Sequence, residues 1–224
     1  MIDAQIDVIN KTVEYVKDTL SKDSSGHDWW HVNRVYKLAC QIARFEDADE
    51  YTVALAALLH DIADWKFHGG DDSVGPKVAQ QWLDELGVDN EIIEQVCRII
   101  KEVSFKGAGV EDSVSSLEAK VVQDADRLDA LGAIGIGRTF AYGGHKGRKM
   151  YDPDIQPVNH QTFDEYKNSV GTTVNHFHEK LFLLKDRMNT KTGQMLAEQR
   201  HQVMEDFINQ FMSEWNAELK IAPQ

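Results

Sequence analysis

The chain has 224 residues, 42% of them hydrophobic, and a formal net charge of −13. This length and composition fit one soluble globular domain with a full core. The acidic balance argues against nucleic acid as the main partner, because proteins that neutralise a nucleic-acid backbone carry a basic face. No apolar run reaches the roughly 20 residues of a membrane span, and the acidic N-terminus does not resemble a signal peptide. We therefore expect a cytoplasmic protein that does not bind membranes.

Nearly all predicted elements are helices, because apolar residues recur with a 3.6-residue period along most of the chain. Ser73 and Asp89 are suited to begin two of these helices, and Ser115 with Glu118 forms a predicted capping box for a third. In chain order, the predicted helices span residues 3–20, 28–45, 50–63, 73–86, 90–103, 115–131, 133–141, 161–188 and 192–217. The segment 50–63 is apolar on almost every side, which predicts a central buried helix.

Strand signals are nearly absent, so the predicted fold is all-α: a single-domain bundle of helices over residues 1–224. A polar loop at 143–160 separates a helical core of about residues 24–142 from C-terminal helices, about residues 161–217, that pack back onto it. Cys40 and Cys97 lie far apart in predicted helices, which favours free thiols over a disulfide.

The first chemical signal is the pair His60 and Asp61, which follows the most apolar segment of the chain. Burying an ionised carboxylate without a partner is costly, so Asp61 needs a cation. Imidazole and carboxylate are both ligands for borderline divalent ions. The alternative is a hydrogen-bonded histidine followed by an aspartate that caps the helix end.

The second signal is the segment HDWWH at 27–31, in which His27 and His31 are four residues apart. Asp28 is placed to cap the helix, so His31 lies one turn inside it and is the better metal ligand. His27 precedes the cap and meets either substrate or solvent.

The third signal is a group of carboxylates, Asp124, Asp126 and Asp129, in a half-apolar helix. Three carboxylates in such surroundings require positive charge. Asp126 and Asp129 share a face, whereas Asp124 points elsewhere and can pair with Arg127 at i,i+3. Asp129 either holds the helix in place or contacts substrate.

Together these segments bring two imidazoles and two carboxylates from three helices towards one point. Such a ligand set leaves positions for water and substrate, as a catalytic metal site requires.

These residues carry a resemblance to the HD-domain superfamily of metal-dependent phosphohydrolases. Its H…HD…D pattern falls on His31, His60, Asp61 and Asp126. The sequence is also similar to small bacterial HD proteins that hydrolyse nucleotides, over roughly residues 24–215. The similar segments are HDWWH, LLHDIAD, IIKEVSFKG, QDADRLDALGAIGIGRTFAYGG, KLFLLKDRMNT and AEQRHQVM.

The resemblance implies that these four residues hold a divalent ion, with Mn²⁺ favoured and Mg²⁺, Ni²⁺, Co²⁺ or Zn²⁺ as alternatives. It also implies that Asp64, one turn after His60, orients or deprotonates the attacking water. Related proteins often carry Glu at that position, and the shorter Asp changes the distance to the metal.

Phosphoryl transfer needs charge neutralisation away from the metal. Candidates for binding the substrate phosphates are His27, Lys106, Lys146 and Arg148, and Arg127 is a candidate catalytic residue beside Asp126. The glycines of the basic loop allow it to close over a polyphosphate as a lid, and the alternative is a solvated, mobile loop. Trp29 and Trp30 either stack on a base or belong to the core.

The leading hypothesis is a (deoxy)nucleoside triphosphate pyrophosphohydrolase that releases a monophosphate and pyrophosphate. A deoxynucleoside 5′-monophosphatase is the nearest alternative, and other phosphomonoesterases or phosphodiesterases follow. A non-catalytic sensor of a nucleotide or ppGpp is the alternative from another class. A metal-dependent oxygenase would need further ligands, for which His68 is available. The sequence leaves open whether the protein is a monomer or a homodimer.

Overall fold

A computed structural model of the chain describes residues 1–21, 28–63, 73–103, 114–158 and 171–218. Within these ranges every regular element is a helix, which confirms the predicted all-α fold. Nine α-helices and one 3₁₀ helix are described: α1 Asp3–Leu20, α2 Trp29–Glu46, α3 Glu50–Leu59, α4 Val74–Glu85, α5 Asn90–Val103, α6 Leu117–Asp129, α7 Gly132–His145, α8 Thr173–Glu179, the 3₁₀ helix Leu181–Arg187, and α9 Lys191–Trp215.

Helix α3 lies at the centre of the molecule, and all its residues from Tyr51 to Leu59 are buried. It packs against α1, α2, α5 and α6. The predicted central buried helix is therefore confirmed, but it ends earlier than residue 63. His60 follows its last residue, and His60, Asp61 and residues up to 63 form a turn.

Side-chain caps begin several helices where the sequence places Ser, Thr or Asp. Asp28 Oδ1 accepts a hydrogen bond from the backbone N–H of His31 at 2.9 Å, as predicted. Ser116, one residue after the predicted cap, accepts from Ala119 N at 3.1 Å. The predicted capping box at Ser115 is therefore wrong, because Ser115 instead bonds to Glu102.

The helix predicted over residues 161–188 is not continuous, and its first ten residues lie outside the described ranges. Helix α8 ends at Glu179, Lys180 leaves the helical region with φ −141°, and a 3₁₀ helix follows. Leu181 and Leu184 are both buried. A spacing of three residues places both leucines on one face of the 3₁₀ helix.

The basic loop begins later than predicted, because α7 continues to His145. The loop then bonds to α8: the backbone N–H groups of Thr173 and Val174 donate to the carbonyls of Lys149 and Met150 at 3.0 and 2.9 Å. Asn175 Nδ2 donates to the carbonyl of Ile155 at 2.9 Å. This part of the loop, residues 149–155, is thus attached to α8 and is not simply solvated.

Cys40 and Cys97 are free thiols, as predicted. Within the described ranges, no helix combines the length and apolarity that a membrane crossing requires. Trp29 packs against the core, whereas Trp30 beside it is 63% exposed.

Candidate metal centre

His31 lies in the first turn of α2 and is almost fully buried, with 1% of its surface exposed. The Asp28 cap fixes the start of this helix and so the direction in which the histidine points. His31 Nε2 lies 3.3 Å from Asp61 Oδ2 and 3.4 Å from Asp126 Oδ1. Helix α6 is distant in sequence, yet its Asp129 contacts His31 and Arg34, which lie 98 and 95 positions earlier in the chain. The start of α2 and the end of α6 therefore meet here.

His60 and Asp61 reach the same point from the end of the buried helix α3. His60 Nε2 lies 3.4 Å from Asp61 Oδ2 and 3.9 Å from Asp126 Oδ1. The rings of His31 and His60 meet edge to face, with their centroids 5.5 Å apart. Of the predicted ligands, the structure thus brings His31, His60, Asp61 and Asp126 together.

In both rings Nδ1 is hydrogen-bonded, and this orients Nε2 towards the carboxylates of Asp61 and Asp126. His60 Nδ1 lies 2.8 Å from the carbonyl oxygen of Ala57, and His31 Nδ1 lies 2.7 Å from Asp129 Oδ2. Because both acceptors are oxygens, Nδ1 carries the proton in each ring and donates it. The lone pair of a neutral imidazole is then on Nε2, the atom that faces the cluster.

The electrostatics of the cluster favour positive charge at the imidazoles. Burial lowers the pKa of His31, but hydrogen bonds to Asp126, Asp129 and Asp61 outweigh burial and hold this pKa well above its usual value. Burial also lowers the pKa of His60, but the charge of Asp61, its hydrogen bond and the charge of Asp126 together outweigh burial, so the net shift is upward. Two carboxylates near two imidazoles therefore form a site that attracts a cation.

The donor set fits a divalent ion. One ligand atom from each of His31, His60 and Asp126 lies within 4.8 Å of the other two. Two ligand atoms that are each about 2.1 Å from one ion stand about 3.0–3.4 Å apart at octahedral or tetrahedral angles. The 3.3–3.4 Å separations to Asp61 Oδ2 match this spacing. His60 Nε2 is buried and has no hydrogen-bond partner among the described residues, as expected for a nitrogen that binds a metal.

Asp129 lies behind this cluster and takes part in an ion-pair network that the sequence analysis missed. Arg34 donates from Nε to Oδ1 at 2.7 Å and from Nη2 to Oδ2 at 2.9 Å. Arg138 of α7 donates from Nη1 to Oδ2 at 2.6 Å. Burial raises the pKa of Asp129, but the hydrogen bonds from His31 and Arg34 dominate and hold it well below its usual range. Only the position of Arg34, three residues after His31 on one helix face, was a usable sequence signal.

Asp124 does not need the predicted pair with Arg127. Its two oxygens accept four hydrogen bonds from Asn189 and Thr190, all between 2.8 and 2.9 Å long. These two residues precede α9, so Asp124 binds the start of the last helix to α6. Arg127 is buried and donates from Nη1 to the carbonyl oxygen of Arg187.

The predicted phosphate-binding residues are only partly described. Lys146 Nζ and the Arg148 guanidinium lie 5.6 and 5.9 Å from the centroid of the Tyr142 ring, within the range of cation–π contacts. The other predicted residues, His27, Asp64, His68 and Lys106, lie outside the described residues.

Comparison with known proteins places this geometry in a family. The HD domain model matches residues 29–131, which contain all four residues of the cluster. YpgQ of Bacillus subtilis is 42% identical over 200 residues, 88% of each chain. The structure of YpgQ in complex with ADP superposes with a TM-score of 0.74, over 94% of this chain and 96% of YpgQ. The identity in that superposition is 34%.

Two other solved structures are similar over nearly the whole chain. A Lactobacillus plantarum protein has a TM-score of 0.82 and 38% identity, over 97% of this chain and all of its own. An HD-superfamily hydrolase of Bacillus thuringiensis has a TM-score of 0.77 and 46% identity, over 96% of this chain and all of its own. The predicted membership is thereby confirmed: the chain belongs to the HD superfamily of hydrolases.

Proposed function

We propose that this hydrolase is a metal-dependent phosphohydrolase that acts on nucleotides. Within that class we favour a (deoxy)nucleoside triphosphate pyrophosphohydrolase, which yields a monophosphate and pyrophosphate. The observation that carries the proposal is the convergence of two imidazole nitrogens and two carboxylates at 3.3–3.9 Å. Because the chain has a net charge of −13, a bound cation would supply the local positive potential that attracts an anionic substrate.

The proposed ligands are His31, His60, Asp61 and Asp126, with Mn²⁺ favoured among the divalent ions. A divalent ion bound there would supply a water of lowered pKa and polarise a phosphate oxygen. The chain's own contribution is to hold both Nε2 atoms inward through the hydrogen bonds of their Nδ1 atoms. Asp64 is proposed as the group that orients the attacking water or takes its proton.

The nucleotide in this proposal is supported by one relative and by local positive charge. YpgQ, 42% identical to this chain, was solved in complex with ADP. In this chain Lys146 and Arg148 lie together beside the Tyr142 ring, and we propose that they bind substrate phosphates together with His27 and Lys106. Arg127, next to the proposed ligand Asp126, is proposed to stabilise charge during phosphoryl transfer.

Hydrolysis by metal-stripped protein supplied with Mn²⁺, Mg²⁺, Co²⁺, Ni²⁺ or Zn²⁺ in turn tests this function. The substrates are nucleoside mono- and triphosphates, and orthophosphate and pyrophosphate are measured separately. We expect metal-dependent pyrophosphate release that Asp61→Ala abolishes. The exposed Asp154→Ala is the matched control, which removes a carboxylate from the loop that contacts α8 and should retain activity.

The products distinguish the alternatives. Orthophosphate as the sole phosphorus product would contradict a pyrophosphohydrolase and favour the monophosphatase. Protection of the protein against heat by a nucleotide, without hydrolysis under any of these ions, would contradict the enzyme and favour a sensor of a nucleotide or ppGpp.

A further inference from the structure

The contacts of Asp129 lie on the side of His31 that faces away from the other proposed ligands. The Asp129 side chain is buried, and its Oδ2 accepts a hydrogen bond from His31 Nδ1 at 2.7 Å. The opposite nitrogen of the same ring, Nε2, faces Asp61 and Asp126 at 3.3 and 3.4 Å. Among the contacts of the described residues, Asp129 therefore reaches the cluster through the histidine ring.

Two arginines from different helices hold the Asp129 carboxylate in one orientation. Arg34 of α2 binds both of its oxygens in a bidentate pair, and Arg138 of α7 binds Oδ2. A bidentate guanidinium fixes the plane of a carboxylate as well as its position. Because Arg34 and His31 both belong to α2, the carboxylate is fixed relative to the helix that carries the histidine.

We propose that Asp129, clamped by Arg34 and Arg138, is a positioning residue that sets the tautomer and ring orientation of His31 so that Nε2 faces a divalent ion. This inference rests on the proposed function, because it takes His31 as a metal ligand. In metal sites generally, loss of such an outer hydrogen-bond partner weakens metal binding by about 10–100-fold.

Asp129→Asn tests whether the Asp129 carboxylate positions His31 for metal binding. The asparagine has the shape of the aspartate, but its amide nitrogen is a donor. Oδ2 accepts from His31, Arg34 and Arg138, whereas among the described contacts Oδ1 accepts only from Arg34 Nε. If the amide nitrogen takes the place of Oδ1, it faces Arg34 Nε, and the bidentate pair that orients the side chain is lost along with the negative charge. If it takes the place of Oδ2, it donates to His31 Nδ1 and leaves the ring proton on Nε2, the position a metal needs. In both cases the variant should bind metal more weakly.

The dissociation constant for Mn²⁺, obtained from the spin-resonance signal of the free ion, is the direct readout. We expect it to rise by about 10–100-fold in Asp129→Asn. Asp152→Asn is the matched control, because the Asp152 carboxylate pairs with Lys149 at 2.6 Å and has no described contact with the cluster. Unchanged affinity in folded Asp129→Asn, or equal weakening in the control, would overturn the inference.

A second measurement needs no substitution of Asp129. Nitrogen NMR of the unsubstituted protein loaded with Zn²⁺ should show the His31 proton on Nδ1 and the metal on Nε2, and the reverse assignment would overturn the inference. Absence of any Mn²⁺ or Zn²⁺ binding by the unsubstituted chain would overturn the metal centre itself. If only the proposed role of Asp129 is wrong, the unsubstituted protein and Asp129→Asn will instead bind the metal equally well.

Discussion

Three aspartates on one short stretch of helix α6 make three different sets of contacts. Asp126 joins the histidines, Asp129 lies behind His31, and Asp124 binds the residues that precede α9. An α-helix turns by about 100° per residue, so Asp126 and Asp129 lie about 60° apart, whereas Asp124 and Asp126 lie about 160° apart. The same local sequence therefore supplies a proposed metal ligand, its support and a structural link to the C-terminal helices.

The contacts of Asp124 lead to a prediction about stability. Asp124→Asn replaces one acceptor oxygen by an amide donor, which would face the backbone N–H and the hydroxyl of Thr190. We expect the free energy of unfolding in urea to fall by about 2 kcal/mol, because buried donors lose a charged acceptor. The exposed Asp154→Asn should change it by less than about 0.5 kcal/mol. Equal stability of the two variants would contradict a structural role for Asp124.

A pH dependence follows from His176 in helix α8. Burial and the charges of Lys180 and Arg148 lower the pKa of His176 from 6.5 to about 3. The unfolded chain therefore binds a proton at this residue, between about pH 6.5 and 3, that the folded chain does not. The stability that the neutral imidazole provides is present above pH 6.5 and is lost as the pH falls towards 3.

Denaturation of His176→Gln at several pH values tests this dependence. From pH 6 to pH 4, the free energy of unfolding of the unsubstituted protein should fall by about 2 kcal/mol more than that of the variant. His178→Gln, a change at an exposed histidine two residues later, is the matched control. Parallel profiles for the unsubstituted protein and His176→Gln would show that His176 does not titrate as described.

At the scale of elements, helices α7 and α8 approach closely at Gly143. A Cβ atom at this position would overlap the hydroxyl oxygen of Thr173, and it would lie 3.4 Å from Thr173 Cβ. A glycine inside a helix otherwise costs about 0.5–1 kcal/mol relative to alanine. Its presence in α7 is therefore explained by the packing of α8 and not by the geometry of α7 itself.

A double-mutant cycle measures that packing. Gly143→Ala should destabilise the protein by about 1–3 kcal/mol, as overpacking does. In the background of Thr173→Ala the clash is removed, and the same substitution should be neutral or should stabilise by up to about 1 kcal/mol. If the effect of Gly143→Ala is independent of residue 173, the described contact between the two helices is wrong.

The sequence predicts most of the helices because each carries its own apolar period and end signals. Prediction from the sequence fails where a contact is made by residues that lie far apart in the chain. Arg34 and Asp129 are 95 positions apart, so no local pattern shows that they pair. The break at Lys180 is missed because the apolar spacing of three at Leu181 and Leu184 also fits an α-helix.

At the scale of the whole molecule, the candidate metal centre joins three helices that meet in the core. His31 comes from α2, His60 and Asp61 follow α3, and Asp126 belongs to α6. A ligand that binds the folded state and not the unfolded state stabilises the fold by mass action. A divalent ion at this junction should therefore stabilise the entire bundle.

Thermal unfolding of metal-stripped protein, with and without Mn²⁺, tests this coupling. At 100 times its dissociation constant, Mn²⁺ should add about 2.7 kcal/mol to the free energy of unfolding and raise the melting temperature. In Asp61→Ala this increase should be much smaller at the same Mn²⁺ concentration. An equal increase in the variant would mean that the ion stabilises the protein from another place.

Anomalous diffraction at the manganese absorption edge, from a crystal of the protein grown or soaked with Mn²⁺, tests the central claim most directly. The account predicts one strong peak within bonding distance of Nε2 of His31 and His60 and of the carboxylates of Asp61 and Asp126. A peak elsewhere, with none between these four side chains, would contradict it.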